Sequence, residues 1–210
     1  MEKKVKESKL KILAAGDLHG SSAIAQKLAD KARKNNVDLV LLLGDIHGSS
    51  SNAKNLIAPF KKAGQKVVFV PGNWDTELES NFIRDMYDIK NLEEYPYLNY
   101  KDVGIVGIGN ANFQMVLNEE KAIEKLRKNL DIVSKKDHLR KRILISHMHA
   151  GGTKAEFSGF EGSKSLRKAV KYFQPDLFLQ AHIHEAEGIE EKIGKTRVIN
   201  VGRTGKILEI

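Results

Sequence analysis

Short apolar runs alternate with helix-like stretches through the first third of the chain. The runs at 9–15, 37–43 and 66–70 each end at a glycine or at Pro-Gly. The segments between them, 22–35 and 52–63, are predicted to be helices; the first carries apolar residues at helical spacing. Alternation of strands and helices is typical of a doubly wound parallel sheet. The pattern therefore predicts an α/β fold.

The remainder of the chain continues as a mixture of strands and helices. Predicted helices span 77–87, 118–134 and 163–173, and predicted strands span 142–146 and 176–181, with two more around a turn within 97–108. The tail from 186 to 210 alternates apolar residues with glycine-containing turns, which predicts an antiparallel meander. No linker or change of composition interrupts the chain, so residues 1–210 are interpreted as a single domain.

Composition excludes several classes of chemistry. The 210 residues include no cysteine, which removes disulfides, thiolate metal ligands and cysteine nucleophiles. No apolar run approaches the roughly 20 residues of a membrane span, and the apolar stretch near the N-terminus is too short for a signal peptide. The chain is therefore expected to be cytoplasmic, with no membrane partner.

The basic balance favours anionic ligands. Lys and Arg number 35 against 27 Asp and Glu, a formal net charge of +8. Such a field attracts anionic substrates. A dedicated nucleic-acid surface is not favoured, because the most basic stretch, 135–142, has no interleaved aromatic residues for base stacking.

Residues of metal-ligand type follow five of the predicted strands directly. In chain order they are Asp17 and His19, Asp45, Asn73, His147, and the pair His182 and His184. In an open α/β sheet, ligands bind outside the carboxyl ends of the strands. Separate loops at that edge can converge, so these side chains are expected to meet at one site.

The types and number of these side chains predict a two-metal centre. Asp, His and Asn suit divalent Mn, Fe, Co, Ni or Zn. Seven side chains are too many for one such ion, but they suffice for two ions about 3.5–4 Å apart that share a carboxylate. Such a centre would bind phosphate and activate a bridging hydroxide for in-line attack on a phosphate ester.

The same residues carry a resemblance to a known family. The chain contains Asp17-x-His19, Gly44-Asp45, Gly72-Asn73-Trp74-Asp75, His147 after a strand, and Ala181-His182-x-His184. In this order the motifs resemble those of the calcineurin-like metallophosphoesterases, in particular their small single-domain phosphodiesterase branch. The resemblance extends from residue 10 to about residue 203.

The resemblance implies a fold and a ligand set. It implies a four-layer α-β-β-α sandwich of two mixed sheets, with the C-terminal meander supplying much of the second sheet. It assigns Asp17, His19 and His184 to one metal, Asn73, His147 and His182 to the other, and Asp45 to both. Asp45 and Asn73 are also taken as catalytic residues.

Three positions depart from the family pattern. Trp74 stands where many members have a histidine that is thought to protonate the leaving group, and indole cannot donate a proton at neutral pH. Ala181 replaces a common glycine, which matters only if the backbone needs a positive φ. Asp45-Ile46-His47 lacks the Asp-Arg-Gly of protein Ser/Thr phosphatases, which argues against that activity.

Two further histidines lie close to the motifs without matching a ligand position. His149 is a candidate catalytic residue in contact with the substrate phosphate, and the alternative is an exposed side chain. His47 is interpreted as a residue of the rim or of the layer behind the ligands. Asp75 and His149 are the remaining candidate proton donors.

The leading functional interpretation is a dimetal phosphodiesterase acting on a small phosphoester or nucleotide-like substrate. One alternative is a phosphomonoesterase or nucleotide pyrophosphatase with the same site. A second is a non-catalytic interaction module on the same fold, which would require missing ligands, whereas here all seven positions are filled.

Overall fold

The computed structural model describes residues 9–48, 55–110, 112 and 115–210. The helices are α1 (Ser22–Lys34), α2 (Ala58–Lys62), α3 (Glu77–Tyr87), α4 (Glu119–Ser134) and α5 (Lys164–Phe173). The strands are β1 (Lys11–Ala15), β2 (Leu39–Leu43), β3 (Val67–Val70), β4 (Lys90–Asn91), β5 (Leu98–Tyr100), β6 (Val103–Ile108), β7 (Lys141–Ser146), β8 (Leu177–Gln180), β9 (Glu190–Ile193), β10 (Thr196–Asn200) and β11 (Lys206–Glu209).

The strands form two mixed sheets. The first has the order β11-β1-β2-β3-β4, and the second has the order β5-β6-β7-β8-β10-β9. Strands β1 to β4 are parallel, as are β6, β7, β8 and β10. The antiparallel strands β5, β9 and β11 lie at sheet edges.

Alternate residues of the central strands face two different cores. In β1, Ile12 and Ala14 pack between the two sheets, whereas Leu13 and Ala15 pack against the helices on the outer face. Helices α4 and α5 cover the outer face of the second sheet in the same way. Because both faces of each central strand are covered, those strands are continuously apolar. This is the predicted four-layer α-β-β-α sandwich.

Most elements lie where the sequence places them, and helix α2 is the main exception. The predicted helix over 52–63 reduces to Ala58–Lys62, with Pro59 in its first turn. Proline is tolerated there because the first backbone N–H groups of a helix have no intrahelical partner. Pro59 therefore marks the start of the helix. Residues 52–54 of the prediction lie outside the described residues.

The prediction for the C-terminal tail is wrong in its topology. Strands β9 and β10 form an antiparallel hairpin, but β10 continues the second sheet by pairing in parallel with β8. Strand β11 then crosses to the first sheet and pairs antiparallel with β1. There Leu208 faces the core between the sheets, and Ile207 packs toward the outer core. The tail thus joins the two sheets instead of forming one meander.

The basic stretch 135–142 is largely occupied by internal contacts. The guanidinium group of Arg142 donates to the carbonyl of Val133, and that of Arg140 donates to the carbonyl of Ile210. Lys141 pairs with Asp176 at 2.8 Å. These contacts tie the end of α4 to the sheet. Within the described ranges, no helix has the length and apolar character to cross a membrane.

The position of Leu208 predicts that the last strand stabilises the whole sandwich. Leu208→Ala should lower the free energy of unfolding by about 2–5 kcal/mol, because it opens a cavity between the sheets. The neighbouring Glu209→Ala, on the exposed side of the strand, should change it by less than about 0.5–1 kcal/mol. Urea unfolding of both variants measures this difference. Equal stability of the two variants would contradict the assigned strand.

Candidate metal centre

The two copies of the Gly-Asp-x-His sequence lie side by side at the carboxyl ends of β1 and β2. The amide of Asp17 donates to the carbonyl of Gly44 at 3.0 Å, and the amide of His19 donates to the carbonyl of Asp45 at 2.8 Å. This pairing continues the β1–β2 contact past the last sheet residues. It brings the two aspartates next to each other, as their positions after adjacent strands predict. Ser49 and Ser50 of the second copy lie outside the described residues.

Glycines allow the second sheet to approach this edge closely. A Cβ on Gly44 would lie 2.9 Å from the Cβ of His147, and the backbone there has a φ of +76°. A Cβ on Gly72 would collide with the carboxylate of Asp45. These glycines let the ends of β2, β3 and β7 share one small volume.

Four of the seven predicted ligands have a left-handed backbone. The φ angles are 57° at Asp17, 44° at His19, 50° at Asp45 and 70° at His182. Non-glycine residues adopt this region uncommonly, and such strain clusters at functional sites. The turn ends the strand abruptly and directs these side chains into the space between the sheet ends. Ala181 does not have a positive φ, so alanine fits this position, where the family commonly has glycine, without backbone strain.

His147 anchors the first group of ligands. Its Nδ1 donates to the carbonyl of Leu43 at 2.8 Å, because a carbonyl can only accept. In the neutral imidazole this leaves the lone pair on Nε2. That atom lies 2.9 Å from Asn73 Oδ1, 3.2 Å from His182 Nδ1 and 3.4 Å from Asp45 Oδ1. The lone pair of the imidazole therefore points toward other atoms that could coordinate a metal cation.

Asp17 lies at the centre of the second group. His184 Nε2 lies 3.6 Å from Asp17 Oδ1 and 3.1 Å from His19 Nε2. Asp17 is 1% exposed, and neither of its carboxylate oxygens accepts a hydrogen bond from the described residues. A buried carboxylate without a donor is costly unless a cation compensates it.

The carboxylate of Asp45 faces both groups. Its Oδ2 lies 3.7 Å from His19 Nε2, and its Oδ1 lies 3.4 Å from His147 Nε2. Oδ1 also accepts a hydrogen bond from the amide of Trp74 at 2.9 Å. Ligand atoms of suitable spacing form two sets, Asp17 with His19 and His184, and Asp17 with Asp45 and His147.

Burial and neighbouring charges set the protonation of the cluster. Burial raises the pKa of Asp45 to about 6, with Asp75 and Asp17 adding to the effect. Burial, together with His147 and His149, lowers the pKa of His182 to about 4. Burial alone would raise the pKa of Asp17, but the adjacent imidazoles of His184, His147 and His19 bring it below its usual value. Asp17 in turn raises the pKa of His184. Divalent metals bind ionised carboxylates and neutral imidazoles.

Asp75 and His47 form a brace behind the ligands. Asp75 is 1% exposed and accepts hydrogen bonds from the amides of Ile46, His47 and Gly72 and from Nδ1 of His47. The carboxylate thus ties the loop after β2 to the loop after β3, and all its described hydrogen bonds are to these loops. His47 therefore lies in the layer behind the ligands, which is one of the two positions predicted for it.

His149 is buried and linked to a neighbouring loop. It is 0% exposed, so the alternative of an exposed side chain is wrong. Its Nε2 donates to the carbonyl of Phe160 at 3.2 Å, and its ring is within 14° of parallel to that of His182. The imidazole is therefore packed beside a ligand and committed to a backbone contact.

Three apolar side chains, those of Trp74, Phe160 and Met115, lie beside the predicted ligands. Only Trp74 belongs to a motif that the sequence reveals. The Trp74 ring meets His19 edge-on with centroids 6.1 Å apart, and the Phe160 ring meets His182 with centroids 6.4 Å apart. Asn73 Nδ2 contacts Met115 Sδ at 3.5 Å. Phe160 and Met115 lie in loops, where no periodicity signals a role.

The turn after β10 supports the last two ligands. Asn200 donates from Nδ2 to the carbonyl of Ile183 at 3.0 Å, which holds the backbone between His182 and His184. The carbonyl of Gly202 accepts from the amide of Gly16 at 3.3 Å, next to Asp17. The turn after β10 therefore lies next to the predicted ligands.

Comparison with solved structures shows the same fold at low sequence identity. A structure of TT1561 from Thermus thermophilus has a TM-score of 0.72 and 17% identity, covering 94% of this chain and 91% of the other. A dimetal phosphatase from Danio rerio has a TM-score of 0.61 and 12% identity, covering 94% and 89%. A novel archaeal phosphodiesterase has a TM-score of 0.53 and 15% identity, covering 95% and 99%. A comparison with curated protein sequences found no significant match.

The family model described as calcineurin-like phosphoesterase matches residues 10–186, which contain all seven predicted ligands. This family uses a dinuclear divalent metal site, and the buried carboxylate of Asp17 among imidazoles fits such a site. The chain belongs to the calcineurin-like phosphoesterase family and is a metal-dependent phosphoric ester hydrolase.

Proposed function

We propose that the protein is a phosphodiesterase that holds two divalent metal ions, such as manganese, between the seven ligands and hydrolyses small, nucleotide-like diesters. The observation that carries the metal-dependent chemistry is the environment of Asp17. Its carboxylate is buried and accepts no hydrogen bond from the described residues, while three imidazoles lower its pKa. The cytoplasm is the proposed compartment, since the chain has no cysteine.

The ligands divide between the two ions by position. His19, His184 and Asp17 would hold one ion, and His147, His182 and Asn73 would hold the other. Asp45 would bridge them, which is supported by its two oxygens facing His19 and His147 respectively. When bound, such ions lower the pKa of water toward neutrality and polarise the phosphoryl oxygens.

The residues of the chain prepare this chemistry. The Leu43 carbonyl fixes His147 in the tautomer whose Nε2 faces the centre. The amide of Asn73 has its oxygen toward His147, so its Oδ1 is placed as a ligand. Asp75 holds the loops that present Asp45 and Asn73, and second-layer contacts of this kind orient the ligands.

The side chain at position 74 favours esters with good leaving groups. Indole offers no proton to a departing oxygen at neutral pH, and Asp75 is turned into its brace. The Nε2 proton of His149 is donated in a hydrogen bond to the carbonyl of Phe160. Hydrolysis then depends on leaving groups that depart without protonation. Trp74 instead offers an apolar surface, 40% exposed, beside His19.

The first prediction concerns metal content. Protein loaded with manganese or nickel should hold about two ions per chain, because the ligand atoms form two sets that share Asp17. Elemental analysis after removal of excess metal measures the ratio. His138→Ala, at an exposed position outside the motifs, serves as the control and should bind the same amount. A ratio of one or less in fully loaded protein would contradict the dinuclear site.

The second prediction concerns the bridging role of Asp45. Asp45→Asn keeps the shape of the side chain but removes its charge, so turnover should fall by several orders of magnitude with the fold retained. Hydrolysis of bis(p-nitrophenyl) phosphate and a circular dichroism spectrum test both parts. His138→Ala should remain close to the parent activity. Near-normal turnover in Asp45→Asn with both metals bound would refute the assignment.

The third prediction concerns leaving groups. Aryl phosphodiesters should be hydrolysed much faster than alkyl monoesters, and log rate should depend steeply on leaving-group pKa. General-acid catalysis contributes typically about 10²–10⁴-fold, and the site has no donor at position 74. Trp74→His should therefore make the dependence shallower. The measurement is a series of substituted phenyl esters.

A shallow dependence in the parent protein would show that a proton donor is already present. If that shallow dependence became steep in His149→Ala, His149 would be the donor, despite its contact with Phe160.

A further inference from the structure

Trp74 provides an exposed aromatic surface at one end of the ligand cluster. It is the only tryptophan in the chain, and its side chain is 40% exposed. Its ring is perpendicular to that of His19, at an interplanar angle of 81°. Its backbone amide is bound to Asp45, so the residue is held firmly at its base while its ring borders the site.

Phe160 provides a second aromatic surface beside the other group of ligands. It is 58% exposed, and its ring meets that of His182 at an angle of 75°. His182 belongs with His147 and not with His19. The two aromatic side chains therefore border different halves of the metal centre.

The loop that carries Phe160 is held in place by several hydrogen bonds. His149 donates to the Phe160 carbonyl, and the Phe160 amide donates to Ser158 Oγ at 3.4 Å. The amide of Gly162 donates to Glu156 at 2.9 Å. An exposed phenylalanine on a loop fixed in this way is preorganised, so a ligand that packs on it loses little conformational entropy from the protein.

We propose that Trp74 and Phe160 form two walls of the substrate site. They bind the two ester groups of a phosphodiester in which at least one ester group is aromatic, as in a nucleoside. This inference rests on the proposed function, since it places the phosphate at the metal ligands between the walls. Aromatic groups gain by stacking on such rings, whereas a small alkyl ester leaves them exposed. Met115, 54% exposed beside Asn73, extends the apolar border.

The structure also assigns His149 a role in this recognition. It is a positioning residue, because its buried imidazole joins the strand end of His147 to the carbonyl of Phe160. Replacing it should disturb the binding of aromatic esters more than that of alkyl esters. Loss of the ligand imidazoles would affect both alike.

The test measures binding through the fluorescence of Trp74. Diphenyl phosphate and dimethyl phosphate carry the same charge and the same phosphodiester core, so their affinities differ only through the ester groups. Each is titrated into the protein with and without zinc, with excitation of the single tryptophan. Diphenyl phosphate should bind at least about 10-fold more tightly in the parent protein, within the roughly 5–150-fold expected from stacking one aromatic group.

Substitutions in the loop assign the preference to Phe160. Phe160→Ala should reduce the preference for diphenyl phosphate about five-fold or more, and Phe160→Tyr should retain it. Phe157→Ala is the matched control. Phe157 is 62% exposed in the same loop, and its ring contacts no other aromatic ring in the described part of the chain. His149→Ala should lower the affinity for diphenyl phosphate more than the affinity for dimethyl phosphate.

Equal affinity for the two diesters in the parent protein, or an unchanged preference in Phe160→Ala, would overturn the proposal. These outcomes are separate from failure of the proposed function. That failure would appear as no hydrolysis of bis(p-nitrophenyl) phosphate by metal-loaded protein, whatever the fluorescence titrations show.

Discussion

The unsatisfied carboxylate of Asp17 is the constraint on which the rest of the site depends. A buried anion without hydrogen-bond donors is unfavourable, and the structure surrounds it with imidazoles instead of amides. This arrangement requires ligands from both sheets to meet, so the sheets pack closely at their carboxyl ends. Gly44 permits that approach, since a Cβ there would collide with His147 of the second sheet, and Gly72 leaves room for the carboxylate of Asp45. The buried carboxylate by itself destabilises the fold, and a bound divalent cation would offset that cost.

Asp75 shows how the layer behind the ligands controls their geometry. Adjacent in sequence to Trp74, it turns inward and binds two loops through four hydrogen bonds. Trp74 turns outward, and its amide restrains Asp45. The same short motif therefore contributes a ligand, a surface for the substrate and a brace. A substitution at Asp75 would act on metal binding without touching a metal.

The Phe160 loop extends this principle to substrate recognition. Its hydrogen bonds to His149 and Glu156 hold an apolar ring beside a polar centre. The metal centre attracts any phosphate ester through charge, which gives little selectivity. Apolar walls fixed on either half of it can distinguish between esters of the same charge. Affinity for phosphate and choice of substrate thus reside in different parts of the structure.

The sequence by itself predicted the order of most elements and placed seven side chains of metal-ligand type after strands, because both depend on local periodicity and on which residues follow a strand. Only the tertiary structure decided where side chains point. His19 and His47 occupy equivalent places in a repeated motif, yet His19 has a left-handed backbone and faces the metal ligands, whereas His47 does not and binds Asp75. The crossing of β11 to the first sheet and the burial of His149 likewise depend on long-range packing, which leaves no mark in a short window of sequence.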